Sequence, residues 1–195
     1  MLRVGVIGCG GMGRDHIRRL TEKIQGAEVV AVSDVFEESA KKAAEICGAK
    51  VYTDSRELIN AEDVDAVFIV SPGFAHVDSL LQAIEAGKRI FCEKPLCTTA
   101  EDCLKVVKAE EAAGKHLIQL GFMRRYDKGY QQIKEALATG EYGEPLILHC
   151  THRNPEVGTN YNTPMAVHDT AIHEIDVLHW LVDDEYESAQ VVMPR

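Results

Sequence analysis

Long apolar runs are missing from this 195-residue sequence. A membrane-spanning helix needs roughly 20 consecutive apolar residues, so the sequence predicts no transmembrane segment. The opening stretch, MLRVGVIG, also lacks a basic region followed by a long apolar stretch and a small-residue cleavage site. We therefore expect no secretory signal and a cytoplasmic location.

Cysteines at metal-binding or redox spacing are also missing, and so is an excess of positive charge. The six cysteines include no C-x-x-C pair, which argues against a zinc knuckle and against a redox dithiol. The formal net charge of -10 would repel phosphate backbones and anionic membrane surfaces. Nucleic acids and membranes are therefore not expected partners, and no metal is expected.

What the sequence does contain is an alternation of short apolar runs with helix-length segments. Strands are predicted at 3–8, 28–34, 65–72, 89–95 and 116–122, and helices at 11–24, 36–47, 76–86 and 99–113. Such alternation is typical of βαβ units in a parallel sheet. We predict an α/β fold with a doubly wound parallel sheet, formed by a first domain at 1–122.

The pattern changes from about residue 123. A helix is predicted at 127–138 and a second within HDTAIHEIDVLHW, 168–180, while strands are predicted at 146–154 and 187–193. Residues 123–195 are therefore predicted to be the beginning of an α+β domain.

The segment HDTAIHEIDVLHW has two stripes, because successive helical residues turn by about 100°. The polar stripe contains Asp169, His173, Asp176 and Trp180, and the apolar stripe contains Ala171, Ile175, Leu178 and Val182. A metal site is disfavoured, since Val177 stands where H-E-x-x-H spacing requires a second histidine. A catalytic pair and an ordinary solvated face both remain open.

A glycine turn follows the first predicted strand. Gly8, Gly10 and Gly13 have G-x-G-x-x-G spacing at the start of a predicted helix. Glycines here permit a tight turn and close approach of a pyrophosphate to the helix N-terminus. This context favours a Rossmann-type dinucleotide site over a turn without a ligand, and it includes Gly11 and Met12 among the cofactor-binding residues.

Asp34 ends the second predicted strand, where a carboxylate can accept hydrogen bonds from both ribose hydroxyls of adenosine. A 2'-phosphate would be repelled by this charge, and Val35 and Phe36 follow instead of an arginine. The sequence therefore predicts NAD as the cofactor and disfavours NADP. A solvated aspartate at a strand end is the alternative.

Several motifs together resemble the Gfo/Idh/MocA oxidoreductase family, most closely its inositol 2-dehydrogenase branch. They are GCGGMGRDH, SPGFAH, EKPLCTTAED, GFMRRYDKGY, GEYGEP and HDTAIHEIDVLHW. The resemblance implies an NAD-dependent dehydrogenase of a cyclic polyol or sugar, with myo-inositol oxidised to its 2-keto product as the leading candidate. It also implies a homo-oligomer for the full-length form. A non-catalytic NAD-binding regulator with the same fold is the alternative.

The resemblance further implies a catalytic triad of Lys94, Asp169 and His173. His173 would be the general base, since a histidine pKa of about 6.5 suits removal of a hydroxyl proton. Lys94 would bind the reacting oxygen and stabilise developing negative charge, and Asp169 would orient the imidazole and help to hold the substrate.

By the same resemblance, other residues contact the cofactor or the polyol. Ser71, Pro72, His76, Glu93 and Lys94 would line the cofactor, and Met123, Arg124 and Asn154 would contact the substrate together with the triad. Simple packing is an equal alternative for Met123.

Family enzymes continue through a large, mostly antiparallel sheet, so this chain is expected to be C-terminally truncated. We expect it to bind NAD through 1–122 and to show little dehydrogenase activity as it stands.

Overall fold

The computed structural model of the chain describes residues 1–159 and 161–192. It divides into two compact units, of which the first is Met1–Gly121 and the second begins at Phe122. In the part of the chain that is described, no helix is long and apolar enough to cross a membrane.

The first unit is built on a six-stranded parallel sheet with the strand order β3-β2-β1-β4-β5-β6. Its strands are β1 (Leu2–Ile7), β2 (Ala27–Ser33), β3 (Lys50–Tyr52), β4 (Ala66–Ile69), β5 (Arg89–Cys92) and β6 (Ile118–Leu120). Its helices are α1 (Gly11–Glu22), α2 (Glu37–Cys47), α3 (Ser55–Asn60), α4 (His76–Glu85) and α5 (Ala100–Ala113). The predicted doubly wound parallel sheet is confirmed.

Both faces of the sheet are covered by helices, which explains why its strands are almost continuously apolar. Val4 and Val6 of β1 pack with the residues of α1 and α2 in one buried cluster. Ile7 of β1 and Val67 of β4 pack with residues of α3, α4 and α5 in the other. The first unit therefore has two apolar layers, one on each side of the sheet.

The strand order reverses between β1 and β4, which lie side by side at the centre of the sheet. In open α/β sheets, ligands bind outside the carboxyl ends of the strands at such a reversal. The glycine turn follows β1, and the SPGFAH motif begins two residues after β4 ends at Ile69. The two motifs therefore meet at the edge of the sheet where a cofactor is expected.

The sequence prediction misses β3 and α3. A three-residue strand at the edge of the sheet is too short to give a readable apolar period. Helix α3 is six residues long, and Asp54 caps it by accepting a hydrogen bond from Arg56 N at 2.8 Å. The predicted strands at 65–72 and 89–95 were also too long, because they included the polar residues that follow β4 and β5.

The regular structure described in the second unit is helical. It contains α6 (Lys128–Ala138), the single turn α7 (Thr163–Met165), a π-helical segment (Ala166–Ala171) and α8 (Ile172–Val182). Asp127 caps α6 by accepting hydrogen bonds from Gly129 N and Tyr130 N at 2.9 and 3.2 Å. Lys134 of α6 donates to Trp180 O at 2.7 Å, which satisfies a carbonyl in the last turn of α8.

The two strands predicted in this unit are not formed. Residues 146–154 and 187–192 contain no strand, and Met193 lies outside the described residues. A strand requires hydrogen bonds to a neighbouring strand, and the described part of this unit offers none. Leu146 and Ile147 are accordingly 90% and 89% exposed, although both are apolar and isoleucine is enriched in strands.

Candidate active site

Two glycines of the turn after β1 cannot be replaced without collision. Gly8 has φ 96°, and a Cβ there would lie 2.4 Å from Ser71 N. A Cβ on Gly13 would lie 1.9 Å from Gly8 O, so helix α1 packs closely on the turn only because this residue is glycine. The sequence alone predicted the tight turn, and the structure adds its close contact with the segment after β4.

Gly10 differs from these two, because a Cβ there would meet nothing within 4 Å. It is also the N-cap of α1, and no side chain caps the helix. The open space and the uncapped N–H groups that begin at Gly11 fit a pyrophosphate, since helix N-termini attract anions. Met12, in the first turn of α1, is 54% exposed at this end of the helix.

Asp34 lies directly after β2 and is tied to the glycine turn. Its Oδ2 accepts a hydrogen bond from Cys9 N at 2.7 Å, and its Oδ1 accepts one from Phe36 N at 2.9 Å. Each carboxylate oxygen has a second lone pair, so the side chain can still accept from two ribose hydroxyls. Val35 and Phe36 beside it are exposed and uncharged.

The segment after β4 contains Ser71, Pro72 and His76. The Ser71 hydroxyl oxygen is buried and has no hydrogen-bond partner among the described residues, which fits a polar group reserved for a ligand. His76 is fully buried, and its Nε2 lies 2.6 Å from Ser71 O. Its ring has no exposed surface in this structure, and contact of His76 with the cofactor stays a prediction.

Glu93 follows β5 and forms a pair with His16 of α1. The distance from His16 Nε2 to Glu93 Oε1 is 2.8 Å, and both side chains are largely buried. Burial raises the pKa of Glu93, but the hydrogen bond from His16 and the backbone N–H of Lys94 outweigh it, so the pKa lies below its ordinary value. The sequence analysis missed His16, although it stands three residues after Gly13 on the same helix.

The three predicted catalytic residues divide between the two units. Lys94 follows Glu93 in the first unit, whereas Asp169 and His173 belong to the second. Asp169 lies in the π-helical segment, and His173 is the second residue of α8. Single π-helical turns inside helices occur frequently at functional sites.

Helix α8 buries the polar stripe that the sequence left open. His173 and Asp176 are each 8% exposed, whereas Ile175 of the predicted apolar stripe is 45% exposed. The interpretation as a solvated face is therefore wrong for His173 and Asp176. Asp176 is buried with a partner, since its carboxylate accepts hydrogen bonds from Arg125 Nε at 3.1 and 3.0 Å and from Nη2 of the same residue.

A chain of polar contacts joins two predicted substrate residues through two residues that the sequence analysis missed. Arg124 pairs with Glu174, whose Oε2 lies 3.2 Å from His152 Nδ1. His152 Nε2 in turn lies 3.2 Å from Asn154 Oδ1. Burial raises the pKa of Glu174, but the hydrogen bonds and positive charge of Arg124 and His152 lower it by more, so the pKa is below its ordinary value. Glu174 is thus a charged acceptor between Arg124 and His152.

These polar residues lie beside a cavity of about 470 Å³ in the second unit. The cavity is lined by Cys150, His152, Asn154, Val157, Tyr161, Ala166, Thr170, Ala171 and Glu174. Tyr161 is held against the π-helical segment, with its hydroxyl 2.6 Å from Thr170 Oγ1. Met123, another predicted substrate residue, is 55% exposed. Neither His152 nor Tyr161 was given a role from sequence, because neither lies in a motif with a recognisable spacing.

Metal ligation has no support in the residues that the structure describes. Among them, no group of three or more histidine, cysteine, aspartate or glutamate side chains is arranged to hold a metal ion.

The sequence profile of an oxidoreductase family with an NAD-binding Rossmann fold matches residues 2–122. The profile of the C-terminal domain of the same family matches residues 130–195. The chain belongs to the GFO/IDH/MocA family. Its first unit is thus an NAD-binding Rossmann fold, as the glycine turn and Asp34 predicted.

Family members with high identity match along the whole chain. An inositol 2-dehydrogenase/D-chiro-inositol 3-dehydrogenase of Halalkalibacterium halodurans is 56% identical over 100% of this chain and 56% of that relative. An inositol 2-dehydrogenase of Pseudomonas syringae pv. syringae is 54% identical over 100% of this chain and 58% of the relative.

Among solved structures, a myo-inositol dehydrogenase from Lactobacillus casei in complex with NAD(H) and myo-inositol matches with a TM-score of 0.96. Its identity is 51%, and the match covers 100% of this chain and 58% of that one. The chain therefore spans somewhat more than half the length of the relatives that it matches.

Proposed function

We propose that this chain forms the cofactor-binding and catalytic part of an NAD-dependent dehydrogenase that oxidises a secondary alcohol of a cyclic polyol, with myo-inositol and its 2-keto product as the leading pair. The observation that carries the proposal is the likeness of the whole chain, at 51% identity and a TM-score of 0.96, to a myo-inositol dehydrogenase. The alternative, a non-catalytic NAD-binding regulator, has no comparable observation in its favour.

The glycine turn, Asp34 and the Ser71 hydroxyl are the groups that we propose hold NAD. Gly10 leaves open space at an uncapped helix N-terminus, where a pyrophosphate is favoured. Asp34 has lone pairs left for the ribose, and the Ser71 hydroxyl lacks a partner within the described ranges. We place Gly8, Gly11, Met12, Gly13, Pro72, Glu93 and Lys94 around the same cofactor. NAD, when bound, accepts the hydride that leaves the alcohol carbon.

In the proposed reaction, the side chains of the protein move one proton and stabilise one developing charge. An imidazole nitrogen of His173 takes the hydroxyl proton, as suits a group with a reference pKa of about 6.5. The ammonium group of Lys94 donates a hydrogen bond to the reacting oxygen and stabilises its developing negative charge. Asp169 orients His173 and helps to hold the substrate.

The polyol would be recognised by the polar wall of the cavity in the second unit. A cyclic polyol presents several hydroxyls, each a donor and an acceptor, and such a ligand requires charged and polar groups in fixed positions. Glu174, His152 and Asn154 line the cavity and form such a set, and Arg124 holds Glu174 in place from beside it. Contact of the polyol with Met123 stays a prediction, as do a homo-oligomeric assembly and a cytoplasmic location.

The deciding experiment has two parts. Calorimetric titration of the 195-residue chain with NADH tests the cofactor site alone. Turnover is tested in a fusion protein, in which the part of the Halalkalibacterium halodurans relative beyond the matched region is added to this chain. The fusion is assayed with NAD and a panel of inositols and aldoses, and nicotinamide absorbance is the readout. We expect the fusion to turn over myo-inositol. Turnover should fall about 10²-fold or more in Lys94→Ala and in His173→Ala, while NAD affinity is retained. Binding of NAD without turnover of any polyol would favour the regulator.

A further inference from the structure

The short segment that carries Lys94 is contacted from two helices by histidine side chains. His16 of α1 contacts the residue before Lys94, since its Nε2 lies 2.8 Å from Glu93 Oε1. His76, the first residue of α4, contacts the residue after Lys94, since its Nδ1 lies 2.9 Å from Pro95 O. Each neighbour of Lys94 in the chain is therefore held by its own histidine.

The His16 contact is built into an aromatic cluster. The imidazole lies edge-on against Phe68 and Phe91, at ring-centroid distances of 5.8 and 5.3 Å, and these two rings stack on each other at 4.6 Å. The His16 side chain is only 17% exposed. Packing against the two rings restricts the imidazole to few orientations, so its nitrogen is directed at Glu93.

The carboxylate of Glu93 links the imidazole of His16 to the backbone of Lys94. Oε1 contacts His16, while Oε2 accepts a hydrogen bond from Lys94 N at 3.2 Å. The carboxylate lies beside Gly121, where a Cβ would come within 3.4 Å of Glu93 Cδ. The backbone nitrogen of Lys94 is therefore connected through one side chain to helix α1.

The His76 contact is fully buried. Besides Pro95 O, the ring reaches Leu96 O at 3.3 Å through Nδ1 and Ser71 O at 2.6 Å through Nε2. A carbonyl oxygen only accepts, and a neutral imidazole has one N–H, so the ring donates either through Nδ1 or through Nε2, and the tautomer with the proton on Nδ1 is the one that holds the Lys94 segment. His76 thus connects the segment after β4 to the segment after β5, and these two segments lie at the carboxyl edge of the sheet.

We propose that His16 and His76 are positioning residues that fix the backbone of Lys94 from its two sides. Neither needs to touch the cofactor or the substrate for this role. The inference rests on the proposed function for the importance of Lys94, but the restraint itself is a property of the first unit and can be measured without turnover.

The test is hydrogen exchange of the backbone amides of Lys94, Leu96 and Cys97 in the 195-residue chain, measured residue by residue by NMR. We expect His16→Leu and His76→Leu to accelerate exchange at these amides by about fivefold or more, as expected for loss of a single hydrogen bond. His116→Gln is the matched control, because His116 is an exposed histidine of the same unit. It should leave these amides unchanged.

Conservative variants separate positioning from general structural damage. His16→Gln places an amide nitrogen near the position of Nε2, so it should restore slow exchange. For His76 the asparagine and glutamine variants should behave differently. The side-chain nitrogen of asparagine replaces Nδ1, which faces Pro95, whereas that of glutamine replaces Nε2, which faces Ser71. Amide exchange in the Lys94 segment should therefore be slower in His76→Asn than in His76→Gln. If a leucine variant does not fold, these amide variants carry the test by themselves.

Two results would overturn the inference. One is unchanged exchange at Lys94 and Leu96 in folded variants at both histidines. The other is acceleration spread evenly over the central strands, which would indicate loss of global stability without a local restraint. Neither result depends on polyol turnover, so failure of this inference is distinguishable from failure of the proposed function.

Discussion

Asp34 accepts a hydrogen bond from Cys9 N at 2.7 Å, so the carboxylate proposed to bind the ribose also holds the turn proposed to bind the pyrophosphate. This double attachment explains why the end of β2 and the glycine turn can act as one binding surface. It also means that a substitution of Asp34 has two effects, which must be separated by experiment.

For Asp34 we predict a strong preference for NADH over NADPH in the unmodified chain, because the carboxylate repels a 2'-phosphate. Asp34→Ser should narrow this preference, since it removes the repulsion together with the ribose hydrogen bonds. Asp34→Asn is the control, because it removes the charge but keeps an oxygen that can accept from Cys9 N. Fluorescence titration with both nucleotides is the measurement, and equal affinities in the unmodified chain would contradict the assignment.

The two glycines Gly10 and Gly13 should respond in opposite ways to alanine. Gly10→Ala places a methyl group where, apart from its chain neighbours, no described residue has an atom within 4 Å, so the free energy of unfolding should change by no more than about 0.5 kcal/mol. NAD affinity should nevertheless fall at least about tenfold, because the methyl group would occupy the approach of the pyrophosphate.

Gly13→Ala should instead destabilise the first unit, by about 1–3 kcal/mol or more, because its methyl group would collide with Gly8 O. Thermal unfolding and NAD calorimetry on the same two proteins would show the contrast. Normal NAD binding by Gly10→Ala would rule out this position for the pyrophosphate.

The ion pair between Arg125 and the buried carboxylate of Asp176 provides a stability prediction for the second unit. Arg125→Ala should lower the free energy of unfolding by about 1–3 kcal/mol, because it leaves a buried carboxylate without its donors. Arg125→Lys keeps the charge and should recover part of the loss. Trp180 is the only tryptophan in the sequence, so its fluorescence during urea unfolding reports on this unit. A negligible effect of alanine would show that the pair is not formed in solution.

The pair of Arg3 and Asp65 provides a pH prediction for the first unit. Hydrogen bonds from the side chain and backbone of Arg3 hold the pKa of Asp65 well below its ordinary value of 3.8. Because the folded pKa is below the unfolded one, the stabilisation is complete above about pH 4 and is lost as the pH falls through the folded pKa. The difference in urea midpoint between the unmodified chain and Asp65→Asn should therefore be constant from pH 7 to about pH 5 and shrink below about pH 4. A difference that grows with acidity would contradict this sign.

The sheet and the glycine turn could be predicted from sequence because their signals are local. A buried parallel strand is a short apolar run, and the turn after β1 has a fixed glycine spacing. The stripes of α8 left two interpretations open for a physical reason. His173 and Asp176 are buried although they are polar, and Asp176 is buried through Arg125, which lies 51 residues away in sequence. Pairing over that distance leaves no periodic signal.

The same reasoning applies to the missed residues of the candidate site. Glu174 and His152 acquire their roles from contacts between segments 22 residues apart, and His16 meets Glu93 across 77 residues. A motif can identify a residue by its neighbours in sequence, but it cannot identify a partner brought near by folding. The unformed strands at 146–154 and 187–192 show the reverse case, in which strand-forming residues are present and the pairing partner is not.

The π-helical segment Ala166–Ala171 can be understood as an α-helix that has gained one residue. Deleting Thr170 would let the helix continue in α-helical geometry, and Asp169 would then stand three residues before His173 instead of four. A single inserted codon is thus enough to set the angle between these two side chains. An insertion or deletion at this point therefore alters the direction of a side chain without altering its identity.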